Sequence, residues 1–285
     1  MKLPFFLARR FVAAETVEET LPVAQRLHNS RLGTTLDRLG EYVDDPELAR
    51  TARDSYINLV ETIAGSNGSV DRNISVKMSM LGQNIDESFC LDNLHMLLEK
   101  AHEHETFVRL DMEGSDTTGS TISIFERVHA DYPDNVGIVL QAYLKRTRED
   151  VAQMCEMNAR VRLCKGAYRE PPSIAHQDMS IIRERFAEHM EMLISGGNYP
   201  GIATHDDTLI EATKAYVRKH AVPASRFEFQ MLYGIRPSTQ LEIVDQGYNM
   251  RIYVPFGTSW MPYFSRRLRE RKENVFFVLK NLFRR

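Results

Sequence analysis

The feature that most restricts how this chain can fold is an eightfold alternation of short extended runs with longer helical ones. β-like runs occur at 33–41 (GTTLDRLGE), 73–81 (NISVKMSML), 107–112 (FVRLDM) and 137–143 (GIVLQAY). Four more follow at 160–168 (RVRLCKGAY), 201–205 (GIATH), 227–232 (FEFQML) and 251–256 (RIYVPF). Helical patterns lie between them, for example 45–64, where Asp45 reads as an N-cap and Pro46 as the first helical residue. Strands that alternate with helices form parallel βαβ units. Eight such units in a chain of 285 residues predict a (βα)8 barrel. The alternative, a doubly wound sheet, usually has fewer strands and carries a G-x-G-x-x-G turn that is absent here. No Gly/Ser linker, low-complexity tract or abrupt change of composition divides the chain, so residues 1–285 read as a single domain.

Within the strands, the two-residue period separates two kinds of face. Ile74, Val76, Met78 and Met80 alternate with Ser75, Lys77 and Ser79. Val108, Leu110 and Met112 oppose Arg109 and Asp111, while Val161 and Leu163 oppose Arg160 and Arg162. Gln141 sits near the end of its strand. The outer face of a barrel packs on helices and must be apolar, which sends the polar sets into the lumen. A filled barrel core would carry Val, Ile and Leu there. Burying Lys, Asp and Arg is costly unless each is paired. Two readings follow: a self-satisfied charge network that only braces the barrel, or a catalytic site. Polar residues also recur near the C-terminal ends of other strands, at Glu41, His205, Gln230 and Tyr253, the end where barrel active sites lie.

Composition narrows the classes. A hydrophobic fraction of 43% with 26% charged residues is that of a globular protein, and no run approaches the roughly 18 apolar residues of a membrane span. A net charge of −3 gives no global basic field for nucleic acid. The N-terminal apolar patch is followed at once by arginines and reads as a leading segment of the domain, not a signal peptide. Cys90, Cys155 and Cys164 are odd in number and lack ligand spacing, which points to a reducing cytoplasm and away from disulfides or zinc. The exception to the charge balance is the end of the chain, where eight Lys and Arg from Arg266 to Arg285 face only Glu270 and Glu273. Residues 273–285 read as a basic amphipathic helix, which either packs on its own domain or lies on an anionic membrane surface.

Just before that tail, YFSRRLRER (263–271) places Arg266 and Arg267 side by side on a helix, with Glu270 one turn beyond Arg266. Adjacent helical residues point about 100° apart, so the pair spans a wide face. It is either a solvated face with an Arg266–Glu270 pair or a clamp for an anion. No H-E-x-x-H, His/carboxylate cluster or G-x-S-x-G elbow is present. Asp206 and Asp207 after His205 read as the cap of the next helix, and a metal is not expected. Two chemistries fit the polar lumen. Lys77 or Lys165 could form a Schiff base in a lysine-dependent or phosphate-binding lyase or aldolase. Alternatively, the cations could stabilise electron density on a bound cofactor while the arginine pair holds a substrate carboxylate. A non-catalytic binding barrel is a third possibility. Periodicity does not separate them.

The motifs in order, LDRLGE (36–41), ISVKMSMLG (74–82), RLDME (109–113), VLQAYLKRT (139–147), VRLCKGAYRE (161–170), ATHDD (203–207), FEFQMLYG (227–234) and RIYVPFG…YFSRRLRER (251–271), resemble those of the proline dehydrogenase family. The resemblance runs from about Phe11 to Glu273. It implies a (βα)8 barrel whose last helix lies over the barrel mouth, and FAD-dependent oxidation of L-proline to Δ1-pyrroline-5-carboxylate. Hydride would pass to flavin N5 and electrons onward to a quinone, which raises the prospect of peripheral contact with the inner face of the membrane. By the same resemblance, Arg162 stands beside flavin N5 and Gln141 bonds the isoalloxazine. Met112, Lys165, Gly166, Ala167, Thr204 and His205 contact FAD. Lys77 and Asp111 match active-site positions, with Lys77 near the substrate carboxylate and Asp111 counted with Arg162 as catalytic. Arg266 and Arg267 pair with that carboxylate, Leu232 and Tyr253 pack on the proline ring, and Glu270 orients an arginine or meets the amine. Glu41 resembles a glutamate that pairs with one arginine and closes the site. The pattern is closer to the monofunctional bacterial enzymes than to bifunctional proline utilization A. Arg169 stands where many of the latter have an aromatic residue after GAY, so adenine stacking is not expected there.

Overall fold

The computed structural model describes residues 5–270, with the side chains of 268–270 left out. The amphipathic helix expected at 273–285 and the side chain of Glu270 therefore lie outside the described residues.

Each β-like run forms a strand: β1 (Gly33–Arg38), β2 (Asn73–Lys77), β3 (Phe107–Asp111), β4 (Val136–Gln141), β5 (Arg160–Cys164), β6 (Gly201–Ala203), β7 (Glu228–Leu232) and β8 (Met250–Phe256). All pair in parallel and in sequence order, and β8 closes on β1 with Thr35 opposite Tyr253. This is a (βα)8 barrel. Several strands end earlier than the β-like runs do, because the chain must leave the ladder to cross the barrel top. After Lys77, for instance, Met78–Met80 form a 3-10 turn. Met78 and Met80 thus do not continue the outer face of β2, and Ser79 does not continue its lumen face. Glu41 likewise lies in the loop beyond β1, three residues past its end.

Seven helices follow the first seven strands: α2 (Pro46–Ala64), α3 (Glu87–Glu103), α4 (Ser115–Asp131), α5 (Thr147–Glu156), α6 (Met179–Gly196), α7 (Asp207–Lys219) and α8 (Pro237–Asp245). Asp45 caps α2 by accepting from the amides of Glu47 and Leu48, with Pro46 in the first turn. Asp206 caps α7 through the amide of Thr208. The outer strand faces are apolar, and Ile74, Val76, Leu110, Val161, Ile252 and Val254 are fully buried beneath the helices.

The two remaining helices among the described residues break the regular pattern. Helix α1 (Val17–Asn29), which precedes β1, packs against both β1 and β8 and takes the flank where an eighth helix would lie. The helix after β8, α9 (Trp260–Glu270), is displaced to the C-terminal end of the barrel. It rests on its own apolar cluster, in which Leu7, Phe11 and Val12 of the N-terminal segment meet Trp260, Tyr263 and Phe264. The Phe11 and Phe264 rings lie 6.3 Å apart and the Trp260 and Phe264 rings 5.8 Å apart, edge-on. No helix among the described residues is long and apolar enough to cross a membrane.

One buried group sets an acid limit on this fold. His189 on α6 is almost completely buried, and neither ring nitrogen has a hydrogen-bond partner among the described residues. Burial, reinforced by Arg185 and Arg148, lowers its pKa from 6.5 to about 4. The unfolded chain therefore binds a proton near pH 6.5 that the folded chain refuses until about pH 4. Stability is full above pH 6.5 and falls as the pH drops through that window, by at most about 3 kcal/mol. Urea titrations of the wild type should show this loss between pH 6.5 and 4. In His189→Phe the decline over the same window should be visibly shallower.

Candidate active site

The strand period sends a second set of side chains inward, and closure sorts them into two layers. At the N-terminal end Arg251 bridges Glu228, at 2.8 and 3.1 Å, and Asp71, at 3.1 Å. Arg109 donates to the carbonyls of Ile138 and Arg160, and the Arg160 guanidinium lies 4.3 Å over the ring of Phe107. Arg109 and Arg160, which the strand period put with Arg162 on the polar faces, therefore belong to this lower, bracing layer. Gly137 on β4 makes room for it, since a Cβ there would meet the Arg109 guanidinium and the Arg160 carbonyl.

The upper layer opens into a cavity of about 750 Å³ at the C-terminal end. Its centre is the carboxylate of Asp111. One oxygen accepts from Ser75 at 2.9 Å and from Arg162 Nη1 at 2.9 Å; the other accepts from the Tyr253 hydroxyl at 2.7 Å. Lys77 donates to Asp37 at 3.0 Å and stands 3.8 Å from Asp111. Burial on its own would depress the Lys77 pKa, but Asp37 and Asp111 override it and raise it above the usual lysine value. Burial, followed by the charge of Asp111, holds the Tyr253 phenol well above its ordinary range. The Tyr253 ring also carries the Arg162 guanidinium 5.1 Å from its centroid.

A second group forms the side of the cavity beyond β5 and β6. Gly166 adopts φ 117°, a left-handed conformation, and a Cβ at this position would collide with the Tyr143 ring. Asp206 accepts from Lys165 at 3.0 Å and from Arg183 at 2.8 Å. Burial opposes its ionisation, yet Arg183 and Lys165 lower its pKa to about 2. The carboxylate expected to cap α7 is thus also a salt-bridge hub. Arg236 donates to the carbonyl of His205, and His205 Nε2 accepts from the Leu232 amide at 3.0 Å. Gln141 donates through Nε2 to the carbonyls of Met112 and Glu113, leaving its buried Oε1 with no partner among the described residues.

Helix α9 covers the mouth. Tyr263, Arg266 and Arg267 line the cavity, and Arg267 sits 5.2 Å over the Tyr263 ring. Arg266 is gripped by both carboxylate oxygens of Glu41. Glu41 thus reaches the site only through Arg266 and lines a neighbouring cleft instead of the main cavity.

Of the residues expected from the sequence, Lys77, Asp111, Met112, Gln141, Arg162, Lys165, Gly166, Ala167, Thr204, His205, Leu232, Tyr253, Arg266 and Arg267 all line this one cavity. Glu41 joins it by its ion pair. Asp37, Tyr168, Arg183 and Arg236 also line it and were not anticipated. Asp37 was within reach, since it shares the inward period of β1 with Thr35. Arg183 on α6 and Arg236 before α8 lie off the strands, where no period marks a lumen face.

A family model described as proline dehydrogenase matches residues 20–280. "Proline dehydrogenase 1" of Bacillus subtilis (strain 168) is 38% identical over 278 residues, covering 98% of this chain and 91% of that protein. "Proline dehydrogenase" of Deinococcus radiodurans is 35% identical over 280 residues, covering 97% of this chain and 90% of its own length. Among solved structures, proline utilization A from Bdellovibrio bacteriovorus, inactivated by N-propargylglycine, superposes with a TM-score of 0.87 at 28% identity. That match covers 93% of this chain but 32% of the much longer partner. With a family model matching most of its length and near-full-length relatives well above 30% identity, the chain belongs to the proline dehydrogenase family.

Proposed function

We propose that this enzyme oxidises L-proline to Δ1-pyrroline-5-carboxylate with FAD as cofactor and a quinone as the final electron acceptor. The observation that carries the reading is a buried cation, Arg162, held beneath a cavity whose lid supplies two more arginines. The residues fit a flavin. The unsatisfied Gln141 Oε1 offers an acceptor for a ring N–H, and Gly166 gives a close backbone approach that a side chain would block. Lys165 and Arg183, organised by Asp206, suit the cofactor's diphosphate. Met112, Ala167, Thr204 and His205 would complete that wall. When bound, FAD supplies a two-electron acceptor, with hydride leaving C5 of proline for N5 and a proton leaving the substrate nitrogen.

The protein's own groups do the rest. Arg162 keeps a fixed positive charge where negative charge develops, a preorganised stabilisation that costs no rearrangement during the reaction. Asp111 holds Arg162 and Tyr253 in place. Arg266, Arg267 and Lys77 hold the substrate carboxylate, while Leu232 and the face of Tyr253 pack on the proline ring. Glu270 belongs to the same helix and is proposed to orient an arginine. Arg266 in its pair with Glu41 closes the mouth and excludes water. The alternative of a Schiff base on Lys77 or Lys165 gives way to the family assignment. At Lys77 the chemistry also disagrees, because such a lysine must be neutral and the two carboxylates raise its pKa. A quinone acceptor is compatible with a basic C-terminal segment that touches an anionic membrane surface.

Purified protein should be yellow with flavin absorbance that bleaches under anaerobic L-proline. A colourless protein that no added FAD colours would sink the reading. Arg266→Ala should raise KM for proline about ten- to a hundredfold, as expected for loss of a charged hydrogen bond, with FAD still bound. Loss of FAD with proline binding intact would remove the clamp role. In stopped flow, Arg162→Met should slow proline-driven flavin reduction at least tenfold, and an unchanged rate would remove its assigned role.

A further inference from the structure

Beneath Arg162 a hydrogen-bonded chain runs down the barrel axis. Arg162 Nε donates to Gln230 Oε1 at 2.5 Å, Gln230 Nε2 donates to Glu228 Oε1 at 2.6 Å, and Glu228 accepts from Arg251. Every member of this chain is buried or nearly so, and Glu228 and Gln230 are each 3% exposed. Gln230 borders the floor of the cavity, and Glu228 lies below it, outside the cavity lining. We propose that Glu228 and Gln230 are positioning residues for the oxidation step, acting as a two-link strut that sets the orientation of the Arg162 guanidinium. The proposal rests on the flavin role given to Arg162 above.

The reason lies in donor and acceptor chemistry. An amide can present either its oxygen or its NH2 to a neighbour, whereas an ionised carboxylate only accepts. Burial would favour a neutral Glu228, but Arg251 outweighs it and holds the pKa below the usual glutamate value. Glu228 therefore demands the NH2 end of Gln230 and forces its oxygen toward Arg162. Arg162, a donor only, is then fixed at two nitrogens, with Nε on Gln230 and Nη1 on Asp111 and Ser75. A planar guanidinium held at two nitrogens cannot rotate about its last side-chain bond. Without Gln230 it would be held from one side only and could tilt toward Asp111.

A second observation supports the strut independently. Gly201 on β6 lies opposite both Arg162 and Glu228 in the ladder, and a Cβ there would overlap the Gln230 amide. The barrel omits a side chain at the position the amide occupies. Gly201→Ala therefore offers a way to displace the amide without removing either hydrogen-bonding group.

The test uses the full-length protein as purified, in three variants. Gln230→Met keeps length and volume but cannot accept; Gly201→Ala pushes the amide aside; the exchange Glu228→Gln with Gln230→Glu preserves an acceptor at Arg162 and a donor below it. Gln230→Met and Gly201→Ala should each lower kcat at least tenfold while KM for proline changes less than about threefold. The midpoint potential of the bound flavin should become more negative, by about 30 mV for a tenfold loss of preference for the reduced form. Solvent exchange of the Arg162 Nε–H, followed by arginine-selective 15N NMR, should quicken at least tenfold. The double exchange should bring the Nε–H back to slow exchange. Unchanged potential and exchange in Gln230→Met would overturn the proposal. If that variant does not fold, unchanged values in Gly201→Ala would overturn it equally. A wild type without flavin would defeat the functional reading alone, because the Nε–H measurement needs no cofactor.

Discussion

The carboxylate of Asp111 ties this barrel together from the inside. It accepts from Ser75 on β2, Arg162 on β5 and Tyr253 on β8, with Lys77 close by. A charge taken out of water costs several kcal/mol unless compensated, and removing one partner leaves the others exposed to that cost. The members of the upper layer thus constrain one another, and a lumen that most barrels fill with aliphatic side chains stays polar and ordered. The lower layer, built on Glu228 and Arg251, forms the floor on which Arg162 stands.

The lid depends on a different constraint. With α1 on the flank between β8 and β1, the helix after β8 has no place beside the barrel and packs instead on the N-terminal segment. Aromatic contacts among Phe11, Trp260 and Phe264 anchor it, and the Glu41–Arg266 pair fastens its far side. Two adjacent arginines, too widely spread to share one helical stripe, both reach the site because the helix lies across the opening.

Much of the site was legible because strands have a short and strict period. Lys77, Asp111 and Arg162 stand out as polar residues on the alternating faces of β2, β3 and β5, and Gln141 as a polar residue at the end of β4, whereas Tyr253, expected near a strand end, lies in the middle of β8. Asp37 meets the same criterion on β1 and also lines the cavity. Ser79 departs from the strand period because β2 ends at Lys77 and the 3-10 turn rotates the next residues, so Ser79 donates to Glu113. Arg183 and Arg236 could not be found this way, since a helix or loop residue near a barrel mouth carries no sign of which way it faces. The cofactor and substrate roles came from family resemblance alone.

The number of strands and their order along the chain, the polarity of their faces and the caps of α2 and α7 follow from local sequence. Each of these is local: a period of two or 3.6 residues and a side chain that satisfies a nearby amide. Long-range packing sets the rest: Arg109 braces the floor while Arg162 faces the cavity, Asp206 holds Lys165 and Arg183, and Arg266 is the arginine that meets Glu41. The last pair joins residues 225 positions apart, brought together because β8 closes on β1 and α9 turns back over the opening. Such pairing depends on barrel register and closure, and no local period encodes either.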